Sequence, residues 1–108
     1  MSDFLLVETG GPGAGPGCHR FLGDAVRLAE EDAGVTLLLI EDGVAAAVGD
    51  AQPEVRALLR LGGELWVDSF SLRQRAVCSD DLVGEARMVD MAEVAERLLR
   101  PGLMAVWH

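Results

Sequence analysis

The chain of 108 residues contains no lysine, tyrosine or asparagine, and only two cysteines and two histidines. Cys18 and Cys78 lie far apart and form no Cys-x-x-Cys pattern, so we expect free thiols and no disulfide framework. Neither His19 nor His108 has a partner at the spacing of metal ligands, which argues against a zinc site. The sequence therefore predicts neither a bound metal nor a cofactor.

Positive charge is also scarce, because nine arginines stand against eighteen acidic residues and the formal net charge is −9. Phosphate backbones would be repelled by such a molecule, so we expect no direct binding to nucleic acid. No basic segment precedes the short apolar run that begins at Phe4, and no apolar run is long enough to span a membrane. We expect a cytoplasmic protein with no membrane partner.

A chain of this length forms one domain, residues 1–108, and can bury a core without disulfides. Half of its residues are apolar, which is high for a small protein. Some apolar surface is then left for another subunit to cover, so the composition favours an oligomer.

The strongest structural pattern lies in residues 35–48, Val-Thr-Leu-Leu-Leu-Ile-Glu-Asp-Gly-Val-Ala-Ala-Ala-Val. Apart from Thr36, residues 35–40 are apolar and would place apolar side chains on both sides of a strand, as in a parallel sheet covered on both faces. The acidic pair and Gly43 then end the strand, and residues 44–48 are predicted to form a short helix. A strand that runs into a helix is the repeating unit of a parallel α/β sheet.

Similar alternation continues through the rest of the chain, with further strands predicted at residues 4–7, 65–67, 85–89 and 103–107. Helices are predicted at residues 18–32, 53–61, 70–76 and 91–99, the last with an apolar side made by Met91, Val94, Ala95, Leu98 and Leu99. Asp68 with Ser69 and Asp90 are expected to cap the last two helices. The predicted fold is an α/β three-layer sandwich, with a mostly parallel sheet of about five strands, the first of them central, and helices on both faces.

Ligands and chemistry gather at the carboxyl ends of the strands in such sheets. The residues that the pattern places at this edge are expected to face a partner or ligand: Glu8, Gly11, Gly13, His19, Asp42, Asp68 and Ser69.

The loop from Gly10 to Gly17 follows a strand and precedes a helix, a setting in which backbone amides can hold phosphate. Its glycine spacing matches neither the dinucleotide nor the P-loop pattern, and Pro12 and Pro16 remove two amide donors. A surface or subunit-contact loop is the favoured interpretation, and a small-ligand or nucleotide-binding module is an alternative.

Cys18 is the candidate nucleophile of the chain. At a helix N-terminus the helix dipole lowers the pKa of a thiol, and His19 beside it could add positive charge. The same residue falls in helical register with Phe21, Leu22 and Ala25, which favours a small buried side chain. Both interpretations remain open from the sequence. Cys78 is followed by Asp80 and Asp81, and a structural or incidental thiol is favoured there.

Several segments together resemble the DsrE/DsrF/DsrH family, and most of all its DsrH/TusB branch. These are the Leu-Leu-Leu-Ile-Glu-Asp-Gly-Val-Ala-Ala-Ala-Val of residues 37–48, the Leu-Trp-Val of 65–67, the Arg-Ala-Val of 75–77, and Trp107. Residues 7–13 are more similar to the DsrE side of the family. The resemblance implies a three-layer α/β fold and a homo-oligomer or a hetero-oligomer with DsrE/DsrF-like subunits. It also implies an intracellular sulfur relay, in sulfur oxidation or tRNA thiolation.

In the family members that carry persulfide, the nucleophilic cysteine stands at a strand end, a helix's length before an Arg-Gly pair. By its spacing from Arg75 this position is Asp68 here, and Ala76 replaces the glycine. The resemblance therefore implies an accessory subunit that binds a sulfur-carrier protein and is not itself an enzyme. The alternative is a sulfur carrier in which Cys18 accepts the persulfide.

Overall fold

The computed structural model describes residues 3–108, and in it five strands alternate with four α-helices. The strands are β1 (Asp3–Glu8), β2 (Gly34–Leu39), β3 (Glu64–Asp68), β4 (Arg87–Val89) and β5 (Leu103–Trp107). The α-helices are α1 (Gly17–Glu30), α2 (Pro53–Arg60), α3 (Ser69–Gln74) and α4 (Met91–Leu98). Three short 3-10 helices occupy Pro12–Ala14, Glu41–Ala47 and Ser79–Asp81.

All five strands form one sheet in the order β4-β3-β2-β1-β5, and every pair of neighbours is parallel. The predicted α/β architecture is confirmed. The middle strand is β2, whereas β1, predicted to be central, lies between β2 and β5. The order of the strands reverses between β1 and β5, which is the switch point at which such sheets bind ligands.

Helices cover both faces of the sheet. On one face, Leu37 and Leu39 of β2 share a core with Leu22 of α1 and Leu58 of α2. On the other face, residues of β1 to β4 form a second core with Val94 of α4. These strand residues are Leu5, Val7, Leu38, Trp66 and Val89. Residues 37, 38 and 39 are all 0% exposed, as expected for a strand with helices on both sides. Each fully buried leucine side chain stabilises the folded state by about 1.5–3 kcal/mol relative to the same side chain exposed to water.

The segment after β2 differs from its prediction. The short helix predicted at residues 44–48 is a 3-10 helix that begins earlier, at Glu41–Ala47. Its first turn closes when Gly43 N donates to Ile40 O at 2.9 Å, an i to i+3 hydrogen bond. A Cβ on Gly43 would lie 2.1 Å from Glu8 O, so only glycine lets the turn approach β1 so closely.

The apolar side predicted for the last helix is largely wrong, because only Val94 of its five residues is buried. Leu98 and Leu99 are 41% and 83% exposed. The reason is Arg97, whose guanidinium lies 4.3 Å from the Trp66 ring centroid and donates to Thr36 Oγ1 at 2.8 Å. The aliphatic part of an arginine can cover apolar surface while its charged end stays hydrogen-bonded.

The two predicted caps are confirmed. Asp68 accepts from Ser71 N at the start of α3, and Asp90 accepts from Glu93 N at the start of α4. Among residues 3–108, no helix is both long and apolar enough to cross a membrane.

Candidate functional site

Glu8 ends β1 at the carboxyl edge of the sheet, and its side chain is fully buried. Oε2 accepts from the amides of Gly10 and Gly11 at 2.8 and 3.1 Å, and Oε1 lies 2.6 Å from His108 Nδ1. The imidazole of His108 stacks on Phe21, with 5.0 Å between ring centroids. A buried carboxylate needs such donors to offset its desolvation. Glu8, predicted to face a partner, instead holds the following loop against the end of the chain.

The same loop is packed against the 3-10 helix that follows β2. Gly11 has a φ of 71°, and a Cβ there would lie 2.3 Å from Asp42 O. Gly13 has open space around it instead. Because the amides of Gly10 and Gly11 are already bonded to Glu8, they do not form a free phosphate cradle.

Asp68 ends β3 at the same edge and is 4% exposed. Its Oδ2 accepts from Ser71 N at 3.0 Å and from Ser71 Oγ at 2.6 Å, while Ser71 Oγ accepts from Glu41 N at 2.8 Å. Oδ1 is buried and has no hydrogen-bond partner within the described part of the chain. Ser69 follows as the first residue of α3 and is partly exposed. Asp68 thus joins α3 to the turn after β2.

Arg75 completes this connection. Its Nε donates to Asp42 Oδ1 at 2.9 Å, and its Nη1 donates to Ser71 O at 3.4 Å. The side chains of Arg75 and Asp42 border an open groove of about 460 Å³ between the loop of residues 10–17 and the end of α3. The rest of the groove is mainly apolar, with Ala14, Val44, Ala45, Val48 and Val77 in its lining.

Cys18 is the second residue of α1 and only 3% exposed. The pKa of its thiol is raised from 9.0 to about 11, mainly by burial and also by the carboxylates of Glu8 and Glu54. Desolvation of the thiolate is the largest cause of this rise, whereas a helix N-terminus by itself would lower the pKa. These features favour the packing interpretation of Cys18. His19 Nδ1 lies 3.3 Å from Glu54 Oε2, so its imidazole is paired with a carboxylate.

Cys78 is exposed and precedes the 3-10 helix Ser79–Asp81. Within residues 3–108, no group of three or more His, Cys, Asp and Glu side chains is placed to hold a metal ion.

No protein-family model and no curated protein matches this chain. Solved structures do match its fold, and two of them cover nearly the whole chain. The YchN protein from E. coli superposes with a TM-score of 0.88 at 17% identity, over 100% of both chains. MTH1491 from Methanobacterium thermoautotrophicum, a protein of unknown function, gives a TM-score of 0.78 at 17% identity, over 99% of this chain and 98% of its own.

The chain shares the fold of these two proteins. At the carboxyl edge of the sheet, a continuous set of contacts joins the predicted site residues Glu8, Gly11, Asp42 and Asp68. Glu8 contacts Gly43, Asp42 contacts Gly11 and Arg75, and Ser71 connects this group to Asp68. His19 is paired with Glu54 and Gly13 is at the loop tip in open space, so neither takes part in these contacts.

Sequence reasoning missed three residues of this site: Ser71, His108, and Arg75 as the partner of Asp42. Ser71 is three residues after Asp68, the spacing of a side chain that bonds its N-cap, so it could have been found from the sequence. His108 carried no comparable signal, because its contact with Glu8 spans 100 residues of sequence.

Proposed function

We propose that this DsrE-like chain is an accessory subunit of a cytoplasmic sulfur relay, of the DsrH/TusB type, which binds a sulfur-carrying partner and carries no sulfur itself. The observation that supports the proposal is the burial of Asp68 at the end of β3, with two hydrogen bonds from Ser71. By the resemblance to the DsrE/DsrF/DsrH family, this is the strand-end position at which persulfide-carrying members have their nucleophilic cysteine.

The chemistry of the available groups favours this division of labour. A carboxylate cannot take up sulfane sulfur, since the acceptor in a persulfide transfer is a thiolate that forms an S–S bond. Burial keeps Cys18 protonated at neutral pH, because its pKa is raised to about 11. Neither residue therefore offers a ready nucleophile at the carboxyl edge.

The groove between the loop of residues 10–17 and α3 is the proposed contact with the sulfur-carrying partner. Its lining is mainly apolar, and an apolar surface excludes water from a reactive persulfide. Arg75 at its border supplies the positive charge that a persulfide anion would favour, and Asp42 holds the guanidinium in place. Because the chain has a net charge of −9, which repels a phosphate backbone, we propose that any tRNA contact in such a relay is made by the partner.

The first experiment asks whether the chain accepts sulfur. The purified protein and its C78S variant are incubated with a cysteine desulfurase and free cysteine, and the intact masses are measured without reductant. We expect no gain of a sulfur atom in the C78S protein, in which Cys18 is the remaining thiol. A sulfur adduct on Cys18, absent from C18A, would replace the proposal with the alternative of a Cys18 carrier.

The second experiment measures binding. The chain is co-expressed with DsrE-like subunits encoded beside its gene, one copy carries an affinity tag, and the complex is isolated. We expect R75A to weaken the complex, with R87A as the matched control because Arg87 also forms an exposed ion pair, with Glu93. A complex unchanged by R75A would contradict the role of the groove. Failure of any such subunit to bind would contradict the accessory-subunit proposal itself.

A further inference from the structure

A small cavity lies at the amino-terminal edge of the sheet, on the side opposite the groove described above. Its volume is about 160 Å³, and it is bordered by the first residues of β1, β2, β3 and β5 and by the end of α4. It shares no residue with the groove at the carboxyl edge. Pockets for drug-sized ligands have volumes of about 300–1,000 Å³, so this cavity suits a much smaller molecule.

Two glycines leave room for this cavity. Asp3 of β1 is in register with Gly34 of β2, and Thr36 of β2 is in register with Glu64 of β3. Because side chains alternate along a strand, those of Asp3, Thr36 and Glu64 share the face of the sheet that α4 covers. A Cβ on Gly34 would lie 2.3 Å from Asp3 Oδ1, and a Cβ on Gly62 would have open space around it. The missing side chains thus leave a space that the carboxylate of Asp3 borders.

Arg97 brings a guanidinium with unused donors to the cavity. Its side chain is only 12% exposed. Nη1 donates to Thr36 Oγ1 at 2.8 Å, whereas Nη2 lies 3.7 Å from Glu64 Oε2, which is too long for a hydrogen bond. A guanidinium has five N–H donors, and the bond to Thr36 is the only hydrogen bond that this one donates among residues 3–108. The nearly buried cation therefore has donors left for a ligand.

Charges of both signs line the cavity without neutralising one another. Arg100 and Asp3 both border it, yet within the described part of the chain neither takes part in an ion pair. Arg97 and Glu64 add a second positive and a second negative charge. The last carbonyl groups of α4 contribute partial negative charge nearby. A pure anion would meet carboxylates and a pure cation would meet guanidiniums, so the lining favours a molecule that carries both charges.

We infer that this cavity binds a small zwitterion of the α-amino acid class. The carboxylate of the ligand accepts hydrogen bonds from Arg97 and Arg100, because guanidinium groups match the planar geometry of a carboxylate. The ammonium group of the ligand donates to Asp3 and Glu64. The volume of the cavity restricts the ligand to a short side chain. This site is independent of any role in sulfur relay, because it lies at the other edge of the sheet.

Trp66 provides a signal for this binding. Its indole Nε1 donates to Glu64 Oε2 at 3.3 Å, so a ligand that contacts Glu64 changes the chemical shift of the indole N–H. The chain has one other tryptophan, Trp107, which does not border the cavity. Nitrogen–proton correlation spectra of the full chain are recorded as L-alanine is added, and W107F identifies the two indole signals. We expect the Trp66 signal to move saturably, with a dissociation constant on the order of 1 mM, and the Trp107 signal to stay in place.

Two ligands with a single charge test whether both charges are needed. Acetate carries only the carboxylate and ethylammonium only the ammonium group, and both are similar in size to alanine. We expect each to bind at least about tenfold more weakly than alanine, because each leaves one pair of charges in the lining without a partner. Acetate binding as tightly as alanine would indicate a simple anion site, and ethylammonium doing so a simple cation site. Either result would overturn the inference.

Two variants locate the site. R100A removes one guanidinium, and G34A places a methyl group where the Asp3 carboxylate lies, in a strand that accepts alanine. Each should raise the dissociation constant for alanine roughly tenfold or more, the effect expected when a hydrogen bond to a charged group is lost. R73A is the matched control for arginine, because Arg73 is exposed on α3 and does not border the cavity. G13A is the control for glycine, since a Cβ there has open space.

The outcomes that would overturn the inference are distinct. One is a Trp66 signal that does not respond saturably to alanine. Another is an affinity for alanine that is unchanged in R100A or in G34A. A third is an affinity that R73A or G13A lowers as much as these two variants do.

Discussion

The thiol of Cys18 should be nearly inert in the folded protein, and its alkylation rate tests the account of the carboxyl edge. The side chain is 3% exposed, and burial together with the nearby carboxylates of Glu8 and Glu54 raises its pKa from 9.0 to about 11. At a pH below the pKa, each unit by which the pKa rises lowers the thiolate fraction tenfold. At pH 8 the rise in the pKa of Cys18 therefore lowers its thiolate fraction by roughly 100-fold. Access requires a local opening of α1 as well, which slows the reaction further.

The assay is alkylation with iodoacetamide at pH 8, followed by peptide mass spectrometry at successive times. The same residue in urea-unfolded protein provides the reference rate, and the exposed Cys78 reports that the reagent is active. We expect Cys18 to react at least about 100-fold more slowly in the native protein than in urea. A native rate within about tenfold of the unfolded rate would refute the reasoning, since a change of one pKa unit would then account for it.

Stability should depend on pH for the same reason. Between pH 9 and about 11 the folded chain keeps the Cys18 proton while the unfolded chain releases it. The stability that the folded chain gains from keeping this thiol neutral is therefore complete below the pKa of Cys18 in the unfolded chain. It is lost as the pH rises through the pKa of Cys18 in the folded chain. The loss in free energy of unfolding is on the order of 2–3 kcal/mol at most. The chain lacks lysine and tyrosine, so urea unfolding of C78S from pH 8 to 11 isolates this effect, and C18A should flatten the curve.

Two stability predictions follow from close contacts and caps, both measured as shifts in urea unfolding. G43A should lose roughly 2 kcal/mol or more, because its Cβ would lie 2.1 Å from Glu8 O, while G13A, with open space, should change stability by less than about 1 kcal/mol. Equal losses would contradict the packing of the turn on β1. D68A should lose about 1–2 kcal/mol and more than D90A, because the cap at Asp68 is buried and that at Asp90 is exposed. A larger loss in D90A would contradict the role of burial.

Much of the fold was predictable because it depends on local pattern. An apolar run on both sides, as in residues 35–40, predicts a strand inside a parallel sheet, and a cap such as Asp90 needs only its own helix. The helix of residues 91–99 was assigned the wrong buried side because Arg97 packs on Trp66, a contact that periodicity does not contain.

The candidate site was predictable only as a location. Parallel strands bring their carboxyl ends to one edge, which was enough to place Glu8, Asp42 and Asp68 there. It was not enough to say that Glu8 is fully buried beneath His108, or that Asp42 is held by Arg75. Those contacts join residues far apart in sequence, and their geometry follows from packing.

By itself the sequence determined the class of fold, the number of strands, the helix caps, the negative charge and the presence of an aspartate at the end of β3. Each of these depends on composition or on residues within a few positions of one another. Only the tertiary structure decided the order of the strands, the open edge of β5 and the high pKa of Cys18. Desolvation and edge exposure depend on which elements become neighbours, and that is a property of the folded chain as a whole.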